Sequence, residues 1–278
     1  MKWNIYTNMR EFWKRSQTYF FENESRYVKI LSYFLEKQSD DLENHFAWLL
    51  ESDNEIKAFA MLFPNGSLHF GELLEHEIHL DDLIQSIQNS NVQIKVVVAP
   101  TSIVQRLLDA LTGDFELDMN QHIMECTDVI LPDDKGGELI LAKEEHRDTV
   151  RSMLIGFFDC FPNPERQMVH LDRLLAYIEK NQIYLWRNSE GIFVSMAAIV
   201  RKNRKSSSVS LVYTYDRYRG NGYGSQVTAY LTKLLLEGER PICNLFTDAT
   251  NPTSNFIYQK MGYEIIGSHS RYQLPPNE

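Results

Sequence analysis

From residue 138 onward, apolar and polar positions alternate between two rhythms. Glu138–Leu141, Ile183–Arg187, Gly191–Val200 and Ser207–Thr214 carry the two-residue, β-branched pattern of strands, whereas Glu144–Phe158 and Glu165–Glu179 repeat apolar residues at helical spacing. A helix from about Ser225 to Leu236, a strand over Ile242–Thr247, a helix over Thr253–Met261 and a last strand near Tyr263–Tyr272 complete a β-α-α-β-β-β-α-β-α-β order. The first half opens with helical patterns at Met9–Phe21 and Ser25–Glu36. Strands are then predicted at His45–Leu50, Ile56–Phe63 and Ser67–Leu73, a helix near Leu80–Gln88, a strand at Gln93–Val98, a helix at Thr101–Leu111 and a strand around Gln121–Ile130. Its order resembles that of the second half. Turn formers and charge over Leu131-Pro132-Asp133-Asp134-Lys135-Gly136-Gly137 separate the two, which predicts domains 1–131 and 132–278 of mixed α/β (α+β) class.

Composition narrows what such a chain can do. With 278 residues and 43% hydrophobic content it can bury two ordinary cores, and a formal charge of −10 opposes a general nucleic-acid or anionic-membrane surface. The basic run Arg201-Lys202-Asn203-Arg204-Lys205 falls between two predicted strands and reads as a solvated hairpin loop. Cys126, Cys160 and Cys243 are odd in number and far apart, as expected for a reducing compartment. His76 and His79 flank Glu77, but the spacing is not that of a zinc helix, so no metal is expected. No apolar run approaches the ~18 residues a membrane helix needs, and a cytoplasmic protein is expected.

Two motifs carry chemistry. Arg219-Gly220-Asn221-Gly222-Tyr223-Gly224 lies between the strand ending at Thr214 and the helix from Ser225. Glycines at alternate positions let a strand turn sharply into a helix, so that backbone N–H groups converge at the positive end of the helix dipole. A dinucleotide fingerprint would need glycine at Ser225, and a Walker loop needs Gly-Lys-Ser/Thr; neither is present. Downstream, Asn251-Pro252-Thr253-Ser254-Asn255-Phe256-Ile257-Tyr258 opens a short helix that Gly262 is placed to end. Tyr258 lies one turn after Ser254, where it is either a core tyrosine or a proton donor.

In order and spacing, these motifs resemble the acyl-CoA loop and the Asn-x-x-Ser-Asn-x-x-Tyr helix of the GNAT superfamily of N-acetyltransferases, over roughly Glu138–Tyr272. The resemblance implies two GNAT-like mixed-sheet domains in tandem, with acetyl-CoA or another short acyl-CoA held in the C-terminal one. It implies that the loop Arg219–Gly224 with Ser225 grips the coenzyme diphosphate and that a backbone N–H of Val212, Tyr213 or Thr214 bonds the thioester carbonyl. Asn251 and Asn255 would lie along the coenzyme, and Tyr258 would protonate the departing thiolate. The acceptor is expected to be a small-molecule amine or, less simply, a peptide amine. Many relatives have proline where this chain has Asp216, and the strand glutamate that some use as a base is missing. Asp159 and Asp248 are the candidate bases; capping or solvated carboxylates are the other reading of both, and a water relay would need neither.

Ala99-Pro100-Thr101-Ser102-Ile103-Val104-Gln105-Arg106 can be laid over Asn251–Tyr258 as the trace of a duplication. In that overlay Arg106 stands for Tyr258, and no Gly-x-Gly loop precedes the helix near Leu80, so the first half is expected to be degenerate. Phe157, Phe158, Phe161 and Tyr177 would suit a partly apolar amine or simply fill a helix core. The expected activity is acyl transfer to an amine; the alternative is a sensor or scaffold that holds acyl-CoA without turnover. An aminoacyl-tRNA-dependent transferase fits the acidic balance poorly.

Overall fold

A computed structural model describes residues 1–36, 46–71, 80–90, 92–161, 164 and 168–275. The chain divides into two compact units, one of residues 1–123 with 247–251 and 265–278, the other of residues 124–246 with 252–264.

The first unit begins with β1 (Lys2–Tyr6), α1 (Met9–Glu22), α2 (Val28–Glu36), β2 (Phe46–Ser52), β3 (Glu55–Leu62) and β4 (Ser67–Phe70). It continues through α3 (Leu80–Asn89), β5 (Val96–Pro100), α4 (Val104–Ala110) and β6 (Glu116–Cys126). β1 is absent from the sequence reading for a physical reason. It is an edge strand of 5 residues, antiparallel to β2 from Lys2↔Glu51 to Tyr6↔Ala47; Trp3 and Ile5 alternate with Lys2 and Asn4, but the run is short and none of its side chains is fully buried. α1 starts where the Asn8 side chain accepts N–H bonds from Arg10 and Glu11 at 3.0 and 3.3 Å. Its buried Met9, Phe12, Ser16 and Phe20 form one face, packed with Tyr27, Phe34 and Phe59 into an aromatic core.

The second unit contains β7 (Glu138–Leu141), α5 (Arg147–Phe158), α6 (Leu171–Leu175), β8 (Ile183–Arg187), β9 (Phe193–Lys202) and β10 (Ser206–Thr214). Then come α7 (Tyr223–Leu236), β11 (Ile242–Asp248) and α8 (Pro252–Lys260). Of the basic run 201–205, expected as a solvated hairpin loop, Arg201 and Lys202 end β9, Asn203 is buried, and Arg204 and Lys205 are exposed in the turn to β10. α6 is shorter than the predicted helix, of which residues 165–167 lie outside the described residues. After Ala176 the amides of Tyr177 and Ile178 bond carbonyls three residues back, so the chain tightens into turns. One cluster packs residues of α5 and α6 against the sheet, including Val150, Leu154, Leu174, Leu185 and Met196. A second, with Val227, Leu231, Val194, Ile199 and Leu245, buries α7.

The two units repeat one topology. β1, β2, β3 and β4 form an antiparallel series and β5 is parallel to β4; β7, β8, β9 and β10 form the same series and β11 is parallel to β10. Among the described residues of each, helices separate the first two strands, a helix lies in the parallel crossover, and another follows the fifth strand. The overlay of Ala99–Arg106 on Asn251–Tyr258 thus joins equivalent strand-to-helix turns, although α4 begins only at Val104. The last strand of the chain, β12 (Glu264–Gln273), lies largely in the first unit and pairs antiparallel with β5 from His269↔Pro100 to Gln273↔Val96.

α8 ends as the sequence predicts. Gly262 sits at φ +91°, and Tyr263 N donates to Tyr258 O at 3.1 Å, closing the helix by a left-handed cap. A β-carbon there would lie 2.5 Å from Asp128 O. Gly262→Ala is expected to lower unfolding free energy by about 1–3 kcal/mol through the left-handed backbone and this clash, as measured by chemical denaturation.

Candidate functional site

The site is built where two neighbouring strands part. β10 and β11 pair in parallel at Ser206↔Ile242, Ser207↔Cys243 and Ser208↔Asn244, and no pairing continues toward Thr214. On its other side β10 pairs with β9 at Ser210↔Ala198 and next at Tyr213↔Met196, so Leu211 and Val212 together face Ala197. That is a β-bulge, and Leu211 takes φ +54°, a conformation that costs a leucine on the order of 1 kcal/mol or more. Beyond it the strand is pinned by Ser195, whose Oγ donates to Tyr213 O at 2.8 Å and lies 2.8 Å from Thr214 Oγ1. Val212, Tyr213 and Thr214 therefore sit past the last rung shared with β11, on backbone bent by the bulge and held by Ser195.

A 3₁₀ turn, Asp216–Tyr218, leads from β10 into the glycine loop. Asp216 opens the turn and pairs with Arg219 at 2.9 Å, which is what this chain does where a proline is common. Arg219 Nε also donates to Thr214 O at 3.2 Å, an Nη contacts Cys160 Sγ at 3.4 Å, and the guanidinium lies 5.5 Å from the Tyr213 ring centre. The arginine thus ties the loop to the end of β10. Asn221 Nδ2 donates to the carbonyls of Tyr218 and Arg219 at 3.1 and 3.2 Å. Gly220 and Gly222 take φ +78° and +82°, and a β-carbon on Gly224 would come within 3.3 Å of Thr214 Oγ1. The α7 ladder begins with Gln226 N donating to Gly222 O at 3.0 Å, so the amides of Tyr223, Gly224 and Ser225 precede it and lack the usual helical acceptors. No side chain caps this end. Free N–H donors, two left-handed glycines and a helix dipole fit a phosphate group.

Tyr258 lies on α8 with its ring against the cluster that also receives Val212, Tyr218 and Tyr223. The ring meets Tyr263 edge-on at 6.0 Å, and burial pushes its hydroxyl up to about 12. Among the described residues, no protein group hydrogen-bonds that hydroxyl. Asn255 is half-buried on the same helix, and Asn251 is exposed just before it.

The candidate bases are placed otherwise. Asp248 is exposed, and its Oδ1 accepts from the N–H and hydroxyl of Thr250 at 2.8 and 2.7 Å, a side-chain turn before α8. Asp248 and Asn251 fall in the 247–251 stretch grouped with the first unit. Asp159 is exposed at the C-terminal cap of α5. Phe157 packs edge-on against Phe158 and Phe161, and Phe158 and Tyr177 join the α5–α6 core, which is the packing reading of those aromatics. Leu211 was read from sequence as part of the strand Leu211–Thr214 but not as a bulge, and neither Ser195 nor the contact of Cys160 with Arg219 was picked out. A bulge that places leucine at positive φ has no glycine to signal it. Among the described residues no group of three or more His, Cys, Asp or Glu could hold a metal. His76, Glu77 and His79 lie outside the described residues.

Residues 190–272 match the family model described as FR47-like protein. No match was found among curated protein sequences. Among solved structures, the chain superposes on a GNAT-family acetyltransferase from Colwellia psychrerythraea with TM-score 0.63 at 12% identity, covering 99% of this chain and 100% of the other. A GCN5-related N-acetyltransferase from Sphaerobacter thermophilus gives 0.56 at 13% identity, over 86% of this chain and 83% of its own. Another from Kribbella flavida gives 0.52 at 15%, over 80% and 88%. The chain has the GNAT acetyltransferase fold, with the FR47-like match confined to the part that holds the bulge, the glycine loop and Tyr258.

Proposed function

We propose that this chain transfers an acyl group, acetyl in the simplest case, from acyl-coenzyme A to a primary amine on a small molecule or peptide. The observation that carries the reading is the parted β10–β11 pair, bulged at Leu211 and running straight into a glycine loop with uncommitted amide donors. A thioester arm laid into such an opening meets the backbone of Val212–Thr214, where a fixed N–H stabilises the oxyanion without any side chain ionising. The diphosphate would be held by the amides of Gly220–Ser225, with Arg219 keeping the loop in place and Asn255 along α8 beside the arm.

In the proposed reaction the amine lone pair forms the C–N bond, the C–S bond breaks, and the thiolate takes a proton from the Tyr258 hydroxyl. The amine's proton leaves to solvent, and the Tyr258 phenolate regains one from solvent. β9 and β10 contain no carboxylate, Asp248 is engaged in a turn with Thr250, and Asp159 is exposed at the end of α5, which favours an acceptor that arrives already neutral. No helix among the described residues is long and apolar enough to cross a membrane.

Tyr258→Phe is expected to slow thiol release by roughly 10²–10⁴ while calorimetric affinity for acetyl-CoA stays the same; equal turnover would remove Tyr258 from the reaction. Failure of the wild-type chain to release thiol across a broad amine panel, with coenzyme binding intact, would favour the sensor reading. The pH profile follows from the raised phenol. A group held at about 12 keeps its proton at every ordinary assay pH and loses it only as pH rises through that value. Rate should therefore climb with pH as the acceptor amine loses its proton, with no descending limb below about pH 10 in a kcat/KM profile.

A further inference from the structure

Residues 132–137, read from sequence as an interdomain turn, are fastened to the second unit at several points. Gln226 in the first turn of α7, only 1% exposed, donates through Nε2 to Asp133 O at 2.6 Å. Asp134 Oδ1 accepts from Gly136 N at 2.7 Å, and the Trp186 indole N–H donates to Gly136 O at 3.3 Å. Gly136 and Gly137 take φ +71° and +113°, and a β-carbon on Gly137 would lie 2.3 Å from Arg187 O, so the segment hugs β8 as a strap.

The strap carries Lys135 to the glycine loop. A β-carbon placed on Gly222 would lie 3.7 Å from both Cγ and Cε of Lys135, so the lysine stem runs across the residue that starts α7. Among the described residues its ammonium makes no ion pair or hydrogen bond. The loop's own cation is differently placed: Arg219 is paired with Asp216 and bonded to Thr214 O. In a chain of net charge −10, a phosphate dianion needs local positive charge; Arg217, in the turn before the loop, lies over the Tyr218 ring, whereas the Lys135 stem lies against Gly222 itself.

We propose that Lys135 is a ligand for the diphosphate of the bound coenzyme, held over the glycine loop by the strap 132–137 and positioned by Gln226. This rests on the coenzyme reading above, and it gives the segment between the halves a part in binding. The ammonium adds a full positive charge beside a phosphate oxygen, which neutral backbone amides do not carry.

The test is calorimetric titration of the full chain and of Lys135→Ala and Lys135→Arg with coenzyme A and with its 3′-dephospho form, at low and high salt. Lys135→Ala is expected to weaken both ligands by the same factor, about 3- to 10-fold, and to flatten the salt dependence seen in the wild type. Lys135→Arg is expected to recover most of the affinity. Unfolding midpoints of the variants should match the wild type, since the side chain is exposed. Unchanged affinity in Lys135→Ala would overturn the proposal, and so would a loss confined to coenzyme A, which would assign the lysine to the 3′-phosphate. A wild-type chain that binds neither ligand would instead overturn the coenzyme reading beneath it.

Discussion

The separation of β10 from β11 after Ser208 and Asn244 is the constraint from which the candidate site follows. Parallel neighbours normally stay bonded along their length, because a buried N–H or C=O without a partner costs about 1–3 kcal/mol. Here the departure coincides with a bulge that bends β10, with a leucine in a left-handed conformation, and with a serine on β9 that clamps the strand's end. Backbone groups released from a ladder are the cheapest fixed donors a protein can offer. The glycine loop then continues the theme, since its donors too are main-chain amides that precede a helical ladder.

Much of this arrangement was legible in the residues, and what escaped did so for definable reasons. Gly220, Gly222 and Gly262 do take left-handed backbone, because glycine at a strand-to-helix turn or past a helix end has few other uses. The strands of the second half were placed within about two residues, since their buried positions alternate against two packed faces. β1 was missed because its alternation, Trp3 and Ile5 against Lys2 and Asn4, spans only 5 residues at a sheet edge and buries none of them fully. The bulge at Leu211 and the placement of Lys135 depend on partners remote in sequence, Ala197 and Gly222, and no local pattern encodes them.

The repeated topology explains an asymmetry between the halves. Both parallel pairs make short ladders, Ser67–His69 with Val96–Val98 and Ser206–Ser208 with Ile242–Asn244, so the parting of strands is common to both. Only the second carries a bulge with left-handed backbone and a described glycine loop. In the first, His69 stands at the last rung; it contacts Ser67 Oγ at 2.9 Å, and burial holds its imidazole neutral, at about 3. The topology is common to both halves, and the sequence between β4 and α3 has no Gly-x-Gly.

The position of β12 sets an order on assembly. Its partner β5 lies some 170 residues earlier in the chain, from His269↔Pro100 onward, so closing that sheet demands a long loop. During synthesis from the N-terminus the earliest sheet waits, incomplete at the β5 edge, until nearly all the rest has emerged. The second unit itself runs to residue 264, so both units reach completion at nearly the same point of synthesis. Through that interval the unit made first carries an unpaired β5 edge, a strand edge open to mispairing.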